Sequence, residues 1–119
     1  MPAFIDDGFT LDGTIEANEA HELESVRFQY RPATAREVTV WLQGRESLSG
    51  DVKGDRDCDF IARHLVSWSL AKRDGSSVPV SKECVGKLHW YVHQRMMNII
   101  AGFEQGDPSA PDMAKALGN

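Results

Sequence analysis

The stretch Val26-Arg27-Phe28-Gln29-Tyr30-Arg31-Pro32-Ala33-Thr34-Ala35-Arg36-Glu37 carries two different periodicities in direct succession. Val26, Phe28 and Tyr30 alternate with Arg27 and Gln29, and a period of two in β-branched and aromatic residues reads as a strand with one buried face. Arg31-Pro32 ends it, because proline cannot extend a ladder and steers the preceding residue away from helix. Thr34 then opens Thr-Ala-Arg-Glu, a capping box whose fourth residue, Glu37, stands at the third helical position. A strand followed at once by a capped helix places the chain in the α+β class.

Upstream, Phe9, Leu11 and Ile15 repeat the alternation, with Gly13 in one of the inward slots, so a second strand is expected over 9–15. The two strands pair antiparallel as an N-terminal β-hairpin across the acidic connection Glu16–Glu24, which is longer than a tight turn. Residues 1–8 read as a flexible arm. Downstream, Val38, Trp41 and Leu42 continue the capped helix to about Gly44, and residues 45–54 read as an exposed loop. A second helix is expected from Asp55, with Cys58, Ile61, Ala62, Leu65 and Ser69 on one stripe, fading at Ala71-Lys72. Asp74-Gly75 marks a turn, and Val78-Pro79-Val80 must be extended around its proline.

Ser81 is an N-cap with Glu83 in the first turn, opening the helix expected to be longest, from Lys82 to about Glu104. Gly106, Pro108 and Pro111 stop it and leave 105–119 as a flexible tail. The fold expected is thus a single domain over 9–104, with the hairpin followed by about three helices. At 100° per residue, Val85, Leu88, Val92, Met96, Ile99 and Phe103 form the core stripe of the last helix. Ile100, His93, Met97, Trp90 and Ala101 widen it to an arc of roughly 220°, where a surface helix needs only roughly 100°. Either the helix is central and packs on two sides, or the additional residues form a partner surface. Phe60, pointing away from the Cys58 stripe, and Trp68, before the Asp74-Gly75 turn, are further candidates for that surface. The alternative for each is packing within the domain.

The totals narrow the function classes. The chain has 119 residues, a net charge of −5 and 26% charged residues, an ordinary globular composition long enough for one core. The acidic balance and the lack of a basic run argue against nucleic acid as a partner. No apolar run approaches a membrane span, and the N-terminus has neither the basic region nor the apolar region of a signal peptide. A reducing cytoplasm is therefore expected, with Cys58 and Cys84 as thiols. His89 and His93 lie one turn apart and Cys84 stands upstream, so a metal-binding enzyme or regulator using Cys84, His89 and His93 is one alternative. Yet there is no His-Glu-x-x-His or Cys-x-x-Cys pattern, no phosphate loop and no nucleophile elbow. The acids Asp55, Asp57 and Asp59 stand at a helix start, where they more commonly cap or solvate. No catalytic, metal or cofactor-binding residue is assigned.

The order of motifs resembles that of the tail assembly chaperones of tailed bacteriophages and prophages. It runs from Val26–Ala33 through Glu37-Val38 to Leu65-Val66-Ser67-Trp68-Ser69-Leu70. After Asp74-Gly75 it ends in Val78-Pro79-Val80-Ser81-Lys82-Glu83, the whole covering roughly residues 9–104. The resemblance implies a non-enzymatic protein of the bacterial host cytoplasm that coats a tape-measure protein, helps recruit tail-tube subunits and, in some members, self-associates as a homo-oligomer. The family is largely helical, whereas two strands are read here. A head-tail connector or tail-terminator subunit retained in the particle is the first alternative.

Overall fold

The computed structural model describes residues 3–108. Three strands, β1 (Leu11–Ile15), β2 (Val26–Tyr30) and β3 (Leu65–Trp68), form an antiparallel sheet in the order β1-β2-β3. Four helices follow or interrupt it: α1 (Ala35–Leu42), α2 (Gly50–His64), α3 (Lys82–Val85) and α4 (Trp90–Ala101). The mixed α+β class and the N-terminal hairpin are as expected from the sequence.

The hairpin pairs Leu11 with Tyr30 and Ile15 with Val26, which sends Ile15, Val26, Phe28 and Tyr30 to the buried face. Gly13 lies opposite Phe28, and a Cβ built on Gly13 would stand 2.5 Å from the Phe28 ring. The glycine is there because the ring occupies its side-chain space. In the connection, Asn18 and Leu23 exchange both backbone hydrogen bonds at 2.9 Å, closing a short 3-10 turn over Glu19–His21.

The capping box forms as read: the Glu37 amide donates to Thr34 Oγ1 at 3.2 Å and the Thr34 amide to Glu37 Oε1 at 2.9 Å. Ser81 likewise caps α3, accepting from the Cys84 amide.

Three expectations are corrected. The stretch expected as an exposed loop is half helix, because α2 begins at Gly50 rather than Asp55. The same helix ends at His64 instead of running to Ala71-Lys72, and Leu65–Trp68 pairs with β2 as a third strand. The Arg31 amide donates to the His64 carbonyl at 2.7 Å and the Ser69 amide to the Arg27 carbonyl at 2.8 Å, so the ladder bonds available along β2 outcompete helical continuation. Finally, the helix expected over 82–104 is broken at Gly86–His89, leaving α4 with 12 residues against 15 in α2. His89 becomes the N-cap of α4, its Nδ1 accepting from the Tyr91 amide at 3.1 Å.

The core gathers Ile15, Val26, Phe28, Tyr30 and Leu65 from the sheet, Trp41, Phe60 and Ile61 from α1 and α2, and Val85, Val92, Met96, Met97, Ile99 and Ile100 from the last two helices. Helix α4 touches β1 on one side and α2 on another, which accounts for its wide apolar arc: the helix is central and packs on two sides.

Residues 105–108, expected in the flexible tail, are tied down. The Asp107 amide donates to the Thr14 carbonyl at 2.7 Å, the Glu16 amide to Asp107 Oδ2 at 2.9 Å, and the Arg95 guanidinium holds the Asp107 carboxylate at 3.0 and 3.1 Å. This segment covers the free edge of β1, an arrangement that keeps a strand edge from pairing elsewhere. The remainder of the expected tail, 109–119, lies outside the described residues. Residues 3–8 of the N-terminal arm contain no helix or strand, and Phe4 is exposed.

Candidate interaction groove

An apolar groove of about 660 Å³ opens where three separate segments meet. One wall is the excursion between β3 and α3. There the Val78 amide donates to the Leu70 carbonyl at 3.1 Å and the Lys72 amide to the Ser76 carbonyl at 2.8 Å, giving a small two-sided arm. Its tip is the Asp74-Gly75 turn, where Asp74 Oδ1 accepts from the Ser76 amide and hydroxyl and Gly75 takes a φ of +88° that a side chain would strain. Trp68 sits at the base of the arm, its indole N–H donating to the Val78 carbonyl at 2.7 Å. Leu70, Val78 and Pro79 thereby face the groove.

The opposite wall comes from Leu23 and Val26, and the floor from Cys84, Leu88 and Val92. The break in the helix at Gly86–His89 is what opens the space, since it turns Leu88 and His89 out at a corner between α3 and α4. Charge at the rim is balanced by Glu24, Glu83, Lys72 and Lys87. Beside it lies an aromatic group on the surface. The His21 ring centroid is 5.5 Å from His89, 5.3 Å from Trp90 and 5.4 Å from Tyr91. Trp90 is 65% exposed, a large apolar side chain left in water next to a groove.

The sequence-based candidates for a partner surface divide. Trp90 is exposed as expected. Phe60, Met97 and Ile100 are corrected to the core, at 5%, 3% and 1% exposure. Phe60 stacks on Trp41 at 4.3 Å, and the two α4 residues fill the second packing side of that helix. Ala101 is half-buried against the same core. Trp68 is half-buried and acts on the groove through the arm it pins. His93 is half-buried beside Cys58, with Nε2 3.7 Å from Sγ. Burial pushes its pKa down, against the opposing pull of the Asp57 carboxylate, and burial pushes the Cys58 thiol up. Both therefore favour their neutral forms.

The remaining acid-base chemistry is structural. Asp57 is buried and accepts from Trp41 Nε1 at 2.8 Å and from Arg45 Nε and Nη2 at 2.9 and 2.6 Å. Burial raises its pKa, but these bonds outweigh burial and hold the carboxyl below the usual range. His64, also buried, donates from Nδ1 to the Phe60 carbonyl at 2.7 Å and sets Nε2 3.1 Å from Glu37 Oε2. Cys84, His89 and His93 are not brought to a common point, and among the described residues no three metal-ligating side chains converge. No described helix is long and apolar enough to cross a membrane.

Leu70, Val78, Pro79 and Leu88, with His21, were missed as site residues. They belong to three segments whose convergence no local pattern announces. The only signals were the Asp74-Gly75 turn and the extended Val78-Pro79-Val80. Comparison with known proteins finds no matching family model, no similar curated protein and no similar solved structure.

Proposed function

We propose that this chain is a non-catalytic protein-binding module, acting as a phage or prophage tail assembly chaperone. It holds an apolar segment of a tape-measure protein in the groove until tail-tube subunits displace it, in the cytoplasm of a bacterial host. The observation that carries the reading is an apolar groove lined by His89 with exposed Trp90 next along the chain, since tryptophan is enriched among binding hot spots. The order of sequence motifs supports the choice of partner.

The groove suits reversible capture. Burying a large apolar side chain gains roughly 1.5–3 kcal/mol, so two or three partner side chains seated on Leu70, Val78, Pro79 and Leu88 give useful affinity after the cost of association. The balanced rim charge adds no strong electrostatic selection. Nothing in this mode requires a nucleophile or a metal.

The test is co-expression of the full chain with a tagged tape-measure fragment. The wild-type chain is expected to co-purify, and Val78→Asp, which places a charge in the groove wall, is expected to abolish recovery while leaving the fold intact. Equal recovery of folded wild type and Val78→Asp would refute the reading.

A further inference from the structure

A second surface, distinct from the groove, is set by charge. Arg36, Arg56 and Arg63 line a cleft of about 390 Å³ between α1 and α2, with exposed Val40 beside them and Trp41 and Phe60 at its base. Arg31 adjoins the cleft, its guanidinium donating to the Arg63 carbonyl. Arg56 spends its donors on the Trp41 and Gln43 carbonyls at the end of α1, which neutralises none of its charge. Of these four arginines, only Arg63 has a carboxylate partner among the described residues, Asp59 at 2.9 Å. The other acid in the cleft, Glu37, is engaged by His64 and Thr34. A chain with a net charge of −5 thus sets four arginines against two carboxylates, Glu37 and Asp59, in one place.

The complementary charge is on the same molecule. The connection between β1 and β2 carries Glu16, Glu19, Glu22 and Glu24, all exposed, and none is in an ion pair among the described residues. The two charge clusters cannot meet within one chain. Glu24 precedes β2 and Arg31 follows it, so the clusters sit at opposite ends of that strand, roughly 20 Å apart at about 3.4 Å per residue. That exceeds the Debye length of about 8 Å at physiological salt.

We propose that the cleft receives the acidic connection of a second copy of this chain. Made reciprocally, the contact closes an isologous two-fold pair; made once per neighbour, it is heterologous and continues head to tail. Guanidinium forks suit carboxylates in such contacts. Exposed pairs are individually weak and salt-screened, so the association is weak and strongly dependent on ionic strength. The same connection carries Leu23 and Glu24 of the groove, so the contact covers that wall and leaves the groove floor and the β3–α3 arm clear.

Sedimentation velocity on the full chain tests this. At about 0.01 M ionic strength, where the Debye length is about 30 Å, the wild type is expected to associate with rising concentration; at about 1 M, where it is about 3 Å, it is expected to be monomeric. Arg36→Glu with Arg63→Glu, and separately Glu19→Lys with Glu22→Lys, should each remain monomeric at low salt with unchanged circular dichroism. A chain bearing all four substitutions should associate again, because both charges are reversed. The proposal is overturned by a wild type that stays monomeric at low salt, by association that persists in either double variant, or by a folded four-substitution chain that fails to associate. It is equally overturned if the chain remains monomeric yet binds an added poly-glutamate peptide in the cleft, which would assign the cleft to a foreign acidic partner.

Discussion

Trp41 donates its indole N–H to the buried carboxylate of Asp57 at 2.8 Å, and Arg45 closes the other side of the same carboxylate with two donors. This joins α1, the Gly44–Ser47 turn and α2 around one charge, with the Arg45 guanidinium 5.6 Å from the Trp41 ring centre. Asp57, in the middle of α2, is thereby the centre of a structural network.

Breaking this pair is expected to be costly, since removing one partner strands a buried charge. Arg45→Ala should lower unfolding stability by about 3–5 kcal/mol at neutral pH, read as a shift of the urea midpoint with an unchanged slope. A loss below about 1 kcal/mol would mean that the carboxylate is adequately solvated without Arg45.

The same carboxylate sets an acid dependence. Its pKa in the folded chain is depressed, so it contributes stability above the unfolded value of about 3.9 and loses it as pH falls through the lower folded value. Over that window the unfolded state binds more protons, and stability rises with pH. The stability difference between wild type and Asp57→Asn should therefore shrink as pH falls below about 4. A difference that stays constant to the lowest pH at which the fold persists would contradict the assignment.

Gly13 and Phe28 give a packing test. Any side chain at position 13 collides with the Phe28 ring, so Gly13→Val should cost about 1–3 kcal/mol or more. Trimming the ring with Phe28→Leu in the same chain should recover part of that loss, because the two substitutions share one space. Additive losses in the double variant would show that the clash is not the cause.

Much of the fold was legible because its signals are local. The alternation of Val26, Phe28 and Tyr30, the Thr34–Glu37 box and the Ser81 cap each satisfy their own backbone groups within a few residues. The strand Leu65–Trp68 was not legible. Leu65 continues the three-four stripe of Cys58, Ile61 and Ala62, no glycine or proline intervenes, and only pairing with Phe28 and Tyr30 across the sheet turns the chain out of the helix. The break at Gly86–His89 was hidden in the same way, because Val85, Leu88 and Val92 keep helical spacing across it. Each miss bore on the site. The third strand launches the arm and the broken helix opens the floor, so a single wide helical face stood in for a groove assembled from three segments.

Trp68 connects these elements to binding. Its hydrogen bond to the Val78 carbonyl pins the arm, and Trp68→Phe removes that donor while keeping most of the ring. The variant should retain the fold and show faster amide exchange at the Lys72 and Val78 amides, which bond across the arm. Unchanged exchange at both would show that the arm holds without it.

The most direct test of the groove reading is calorimetric titration of a tape-measure fragment into folded wild type and Trp90→Ala. Trp90 is 65% exposed, so its removal should leave the unfolding midpoint nearly unchanged while raising Kd about tenfold or more, equivalent to about 1.4 kcal/mol or more. Met97→Ala, in contrast, should destabilise the fold by about 2–5 kcal/mol, as befits a core residue. An unchanged Kd for Trp90→Ala, or no binding by the wild type, would contradict the account.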